Sequence, residues 1–252
     1  MSTIELVDPE LRDALALWPL LPLTAESLTR RRADALELLA AVPKPNLPDI
    51  ETDEIHVESA FGAKPIRVLT YRPVTSDDPL PVIVHIHGGG FVMGAPEMKD
   101  VENRLFASEL RCAIYSVDHR LAPEAPHPAP LEDIYSVFVW LHVNAGQLGL
   151  DPARIGIKGE SGGGGLAATA ALYARDRQGP KFAFQHLIYP MIDDRTAVRK
   201  VTSASSSGRK RTTISAGVRC SARSRVRPLS RLMRRPRARR ICRACRQPRS
   251  LP

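Results

Sequence analysis

Arg154-Ile155-Gly156-Ile157-Lys158 runs directly into Gly159-Glu160-Ser161-Gly162-Gly163. The first five residues read as a short apolar strand, and the Gly-x-Ser-x-Gly that follows opens a stretch of helical composition from Gly164 to about Arg177. A strand that turns sharply into a helix holds the serine at the bend in a strained conformation and lifts its hydroxyl above the sheet. Its neighbours must then lack side chains, because strand and helix come very close there; Gly159 and Gly163 meet that need. The helix that starts beside Ser161 directs its free N–H groups toward any negative charge that develops. The pattern implies acyl transfer through a covalent serine ester, and it demands an acid and then a histidine further along the chain.

A second motif lies upstream. Pro81-Val82-Ile83-Val84-His85-Ile86-His87 is a β-branched run of the kind buried in a parallel sheet. It leads into Gly88-Gly89-Gly90-Phe91. Attack on an acyl carbon creates an oxyanion that needs two or three N–H donors, and residues without side chains expose theirs best. Gly89, Gly90 and Gly162, the residue after Ser161, are the donors this arrangement offers. A phosphate-cradling loop is the competing reading. It fails, because no Gly-Lys-Ser/Thr closes the motif and no dinucleotide-binding spacing is present.

The chain resembles the hormone-sensitive-lipase-like carboxylesterases, the α/β-hydrolase fold-3 group. Four matches carry the resemblance, in order: His87-Gly88-Gly89-Gly90-Phe91, Asp118-His119-Arg120-Leu121-Ala122-Pro123-Glu124, Gly159-Glu160-Ser161-Gly162-Gly163 and Tyr189-Pro190. They cover roughly residues 1 to 200. The resemblance implies a serine esterase for short to medium acyl chains, with an amidase or arylformamidase as the neighbouring alternative. It implies Ser161 as nucleophile, with Gly89, Gly90 and Gly162 around the oxyanion. His87, Gly88, Gly159, Glu160 and Gly163 support the motifs, His87 by orienting the glycine loop rather than as a base. It also implies an N-terminal helical cap over the site.

The expected architecture is an α/β-hydrolase fold: a mostly parallel sheet covered by helices on both faces. Helices are expected over residues 8–18, 25–42, 99–110 and 130–145. In the second of these Leu28, Ala35, Leu36, Leu38 and Leu39 form the apolar stripe and Arg30-Arg31-Arg32 point outward. Strands are expected over 54–59, 66–71, 82–87, 112–117, 155–158 and 182–189. Residues 1–50 form the cap segment, 51–194 an incomplete hydrolase core and 195–252 a separate tail.

The overall charge of +9 conceals two compositions. Residues 1–194 hold 17 Lys/Arg and all 27 Asp/Glu, a net of −10, whereas residues 195–252 hold 19 Lys/Arg and no acid, a net of +19. The tail has no aromatic residue, no histidine and no apolar period, so it is expected to be disordered. Its composition fits a basic arm for nucleic acid or an anionic membrane, an Arg-rich targeting segment, or the product of a shifted reading frame. The shifted frame is the favoured reading, because the change falls where the resembling family carries its remaining strands, its acid and its histidine. The C-terminal part of the fold is therefore expected to be missing.

After Ser161 the only histidine is His186, inside the apolar run 182–189, and the acids are Asp176, Asp193 and Asp194. His186 reads as a strand residue packed against a helix, and Asp176 as the end of the elbow helix. The expectation is a small-molecule esterase that keeps its nucleophile and loses its charge relay, with no cofactor. Cys242-Arg243-Ala244-Cys245 lacks the second pair that a zinc site requires, so no metal is expected. The first helix and the residues leading into it carry Glu5, Asp8, Glu10 and Asp13 rather than an apolar run of signal type, no run suits a membrane span, and cysteine usage fits a reducing cytoplasm, so a cytoplasmic location is expected.

Overall fold

A computed structural model of the chain describes residues 6–12 and 23–193. Asp194, the basic tail with Cys220, Cys242 and Cys245, and most of the helix expected over 8–18 lie outside those residues.

Among the described residues six strands form one sheet: β1 (Ile50–Val57), β2 (Ile66–Pro73), β3 (Leu80–Ile86), β4 (Ala113–Val117), β5 (Leu150–Glu160) and β6 (Gln185–Ile188). Their spatial order is β1-β2-β4-β3-β5-β6. β1 and β2 pair antiparallel, as does β2 with β4, and the other pairings are parallel. The helices are α1 (Ala25–Ala40), α2 (Asp100–Glu109), α3 (Ala129–Leu148) and α4 (Gly162–Asp176), with a 3-10 turn at Pro96–Lys99.

The β-branched composition of β3 decides the layering. Val82, Val84 and Ile86 point to one face and join Ile155 and Ile157 of β5 beneath α3 and α4, with Phe138, Leu141, Leu166 and Ala170. Ile83 points to the other face, with Ile114, Tyr71 and Ala107 of α2. A central strand apolar on both faces needs helices on both, and the connections supply them. From β3 the chain steps through α2 to β4 on one side, then returns through α3 to β5 on the other. The carboxyl ends of β3 and β5 thus lie side by side where the winding direction reverses, with Ile86 paired to Gly159. This is where an open α/β sheet leaves its crevice.

Apart from the helix expected over 8–18, the expected helices and strands are present, with shifted ends. β5 is longer than its apolar run and α4 starts at Gly162 rather than Gly164. The strand expected over 182–189 shortens to β6, which pairs with β5 alone among the described residues. His186 is exposed there, not packed against a helix. The stripe of α1 also differs: Leu28 is buried, but Leu36 and Leu38 are exposed, because only one side of the helix meets the body of the protein. No helix among the described residues is long and apolar enough to cross a membrane.

Phe138 on α3 is fully buried and stacks on Phe182 at a centroid distance of 3.6 Å. Phe138→Ala is expected to lower the unfolding free energy by about 3–5 kcal/mol. Val143→Ala, on the same helix but 69% exposed, is expected to change it by less than about 0.5 kcal/mol. Denaturant titration of the two variants compares them.

Candidate active site

Ser161 sits between β5 and α4 with φ 52° and ψ −117°, a conformation that a side chain rarely adopts. Three backbone hydrogen bonds hold it. Its N–H donates to Ile188 O at 3.0 Å, and its carbonyl accepts from Gly165 N at 3.0 Å and from Met191 N at 2.9 Å. A side chain at Gly159 would strike the Gly163 carbonyl, and one at Gly163 would strike the carbonyls of Ile86 and His87. The two glycines therefore let α4 descend onto the ends of β3 and β5, the close approach for which the motif requires them.

The glycine loop lies against this turn. A Cβ on Gly162 would stand 3.1 Å from both Gly90 N and Phe91 N, and one on Gly88 would stand 3.7 Å from Ser161 Cβ. Backbone amides from the two motifs thus share one small region beside the serine. Phe91, absent from the sequence-based donor set, belongs to that region. Its φ of 68° is as unusual as that of Ser161.

The segment Asp118–Glu124 fixes this loop from outside. Ala122 N donates to Phe91 O at 3.0 Å. Arg32 of α1 donates to Val92 O and Ala122 O, both at 2.8 Å, and grips Glu124 with two further bonds. The helical pattern places Arg32 outside with its neighbours, but it ties the N-terminal helix to the loop. Leu28 packs on Val92 and Ala122 beside it. Asp118 accepts from Arg67 Nε at 2.8 Å, and Asp133 of α3 accepts from the backbone and side chain of Arg120.

His87 is 1% exposed and its ring stacks on that of His119 at 4.2 Å. His87 Nδ1–H donates to Gly88 O at 2.8 Å, and His119 Nδ1–H donates to Arg120 O at 3.1 Å. Those bonds fix the tautomers, and both Nε2 atoms are buried without a hydrogen bond. Burial pushes both rings well toward the neutral form, His119 adding a further depression at His87. His87 thus lies buried against the loop, its ring tied to the carbonyl of Gly88. His119 lies in the Asp118–Glu124 motif, but nothing in the sequence points to its stack on His87.

Glu160 is buried and its carboxyl is held below the usual carboxylate range. Burial alone would raise it, but the N–H of His85 and the ammonium of Lys158 outweigh burial. The chain's seven histidines all lie among the described residues. None of them hydrogen-bonds Ser161, and His186 stands exposed on β6 opposite Lys158. Asp176 ends α4 at the surface, paired with Arg175. No group of three potential metal ligands occurs among the described residues.

A family model described as the alpha/beta hydrolase fold matches residues 83–244. The chain belongs to that family. Its match continues past residue 200, into the basic segment. The chain is 38% identical over 184 residues to carboxylesterase NlhH of Mycobacterium tuberculosis, covering 73% of this chain and 57% of that protein. It is 35% identical over 176 residues to an arylesterase of Saccharolobus solfataricus, covering 68% and 56%. The fold is similar to that of a bacterial heroin esterase, with TM-score 0.67, 37% identity, and 77% of this chain and 61% of that one covered. It is also similar to a hyperthermophilic esterase from Pyrobaculum calidifontis, with TM-score 0.62, 35% identity, and coverage of 75% and 60%. The chain thus spans little more than half the length of these curated relatives, and the family it belongs to is one of hydrolases.

Two outcomes are expected. Gly163→Ala forces α4 away from the Ile86 and His87 carbonyls, which is expected to cost about 1–3 kcal/mol or more on denaturant titration. Acid is expected to destabilise the protein through its buried histidines. Above about pH 6.5 neither the folded nor the unfolded form charges these rings. As pH falls through that value the unfolded chain binds protons first, so stability declines until the depressed folded pKa is reached. Melting temperature should fall between about pH 7.5 and 5.5, and His119→Phe, which keeps a stacked ring, should flatten that slope.

Proposed function

We propose that the protein is a serine hydrolase of carboxylic esters with short to medium acyl chains, acting through an acyl-enzyme on Ser161. The observation that carries this reading is the strained Ser161 beside the amides of the glycine loop, at the carboxyl ends of β3 and β5. In this reading Ser161 Oγ attacks the ester carbonyl carbon and the alcohol leaves, and water then releases the acid. The oxyanion of each tetrahedral intermediate takes hydrogen bonds from the N–H groups of Gly89, Gly90 and Gly162. These donors are fixed before substrate arrives, so they need no reorganisation when charge develops, which is where such catalysis gains most. The esterase names of the relatives support the substrate class, and α1, tied to the loop by Arg32, supports the cap reading of the N-terminal segment.

Slow turnover belongs to the same reading. A serine hydroxyl is a weak nucleophile unless a base accepts its proton, and no histidine among the described residues bonds Ser161. A serine hydrolase without its full relay retains about 10³ to 10⁴-fold catalysis over water, from oxyanion stabilisation and binding.

A fluorophosphonate probe is expected to label the purified chain slowly at Ser161, with Ser161→Ala removing the label. Hydrolysis of p-nitrophenyl butyrate should stay within about 10⁴-fold of the uncatalysed rate. Absence of label on the folded chain would overturn the nucleophile assignment. Turnover at the rate of ordinary esterases would overturn the impaired relay.

A further inference from the structure

The face of the sheet beneath α2 carries charge where a buried strand would ordinarily be apolar. Lys158 is 2% exposed, Glu160 3% and His85 0%. Lys158 Nζ faces Glu160 Oε1 at 3.0 Å, donates to Glu102 of α2, and lies 4.9 Å over the Phe106 ring. Glu102 accepts in turn from Lys99 at 2.6 Å. On the other side, His85 Nε2 lies 3.3 Å from Glu160 Oε2. An ionised carboxylate only accepts, so Nε2 carries the proton. His85 Nδ1 must then accept, and it faces donors only: the Ser116 hydroxyl at 2.8 Å and Asn103 Nδ2 at 3.4 Å. Ser116, His85 and Glu160 resemble a catalytic triad in their bonding. Ser116 and His85 have no exposed surface, so the three cannot meet a substrate.

We propose that Glu160 is a positioning residue for Ser161, clamped between His85 of β3 and Lys158 of its own strand, which anchors it in turn to Glu102 of α2; the proposal rests on Ser161 being the nucleophile. Glu160 is the residue immediately before the serine, and its own carbonyl lies 3.1 Å from where a Cβ on Gly88 would stand. A backbone held at φ 52° persists only where its surroundings over-determine it. The three hydrogen bonds at Ser161 hold it from the side of α4 and β6, and the clamp holds it from β3 and α2. Glu160 Oε2 faces His85 of β3 and its Oε1 faces Lys158 of its own strand, which in turn donates to Glu102 of α2, so rotation of the β5 end strains either the contact with His85 or the Lys158–Glu102 link. Lys158 serves two carboxylates and Lys99 pairs with the second of them, so the charges of the cluster balance around the buried Glu160.

The test uses the full chain in three forms, Glu160→Gln, Lys158→Met and the double variant Lys158→Met/Glu160→Leu. The readouts are melting temperature, the rate of fluorophosphonate labelling, and deuterium uptake by the peptide spanning residues 159–165. Each single variant leaves a buried charge short of a partner, and its melting temperature should fall. The double variant removes both charges and should regain that loss, because apolar groups replace a buried ion pair at little cost. Labelling in the double variant should remain about 10- to 100-fold slow, the scale of a small misplacement of a reacting group, and uptake in 159–165 should remain raised. Recovery of labelling and protection together with melting temperature would reduce the cluster to charge balance and overturn the proposal. A wild-type chain that is folded yet unlabelled would remove the nucleophile reading, while uptake in 159–165 would still decide whether Glu160 holds the turn. If the double variant does not fold, the near-isosteric Glu160→Gln decides: raised uptake in that peptide supports the proposal and unchanged uptake overturns it.

Discussion

Everything at the candidate site depends on one close approach. The start of α4 rests on the carbonyls of Ile86 and His87 at the end of β3, with no side chain between them. That contact sets the angle at which the chain leaves β5, so it sets the backbone of Ser161. It also brings Gly162 against Gly90 and Phe91, so two motifs distant in sequence present amides to one spot. A methyl group at Gly163 would prise the layers apart, and the loss would reach both the serine and its neighbouring amides. The strain at Ser161 is tolerated because hydrogen bonds to Ile188, Gly165 and Met191 fix both of its peptide groups.

Around that contact the molecule adds supports of different kinds. On the outer side the segment Asp118–Glu124 works as a staple: Asp118 reaches β2 through Arg67, Arg120 reaches α3 through Asp133, and Ala122 reaches the glycine loop. Arg32 joins α1 to the same loop. The stacked neutral pair His87 and His119 fills the space beneath it. On the inner side Lys158, Glu160 and His85 place charge inside the sheet, where it is expensive unless every partner is present. The loop is thereby braced by hydrogen bonds to backbone carbonyls and the serine turn by an ion network.

Much of this is legible in residues close together in the chain. The alternation of apolar strand and helix patterns implies the layers, and the order of the two glycine motifs points to the carboxyl ends of β3 and β5. What stays hidden does so for physical reasons. Leu36 and Leu38 lie on the apolar stripe of α1 but are exposed, because a period shows which residues could face a core and not how much core is there. Arg32 reads like Arg30 and Arg31 in sequence, yet it is the one that meets Val92 and Ala122 in space. The apolar run around His186 implies packing, but on β6 only the face with Leu187 packs on the core, while His186 stands exposed on the other. Lys158 in a buried strand is the one available signal for the inner ion network, and it requires a partner on α2 that no local pattern points to.

The fold family, the candidate nucleophile and the glycine-rich turns can be read from the chain because each rests on short-range sterics: which residues tolerate a positive φ, which leave room for a helix, which runs must be buried. What holds those turns in place emerges only once the chain is packed. The Phe91 amide beside Gly162, the His87–His119 stack, the Arg32 tie and the Lys158–Glu160–His85 clamp join residues from 2 to 92 positions apart. Such pairings depend on the order in which strands lie in the sheet, and strand order is a property of the packed molecule rather than of any one segment.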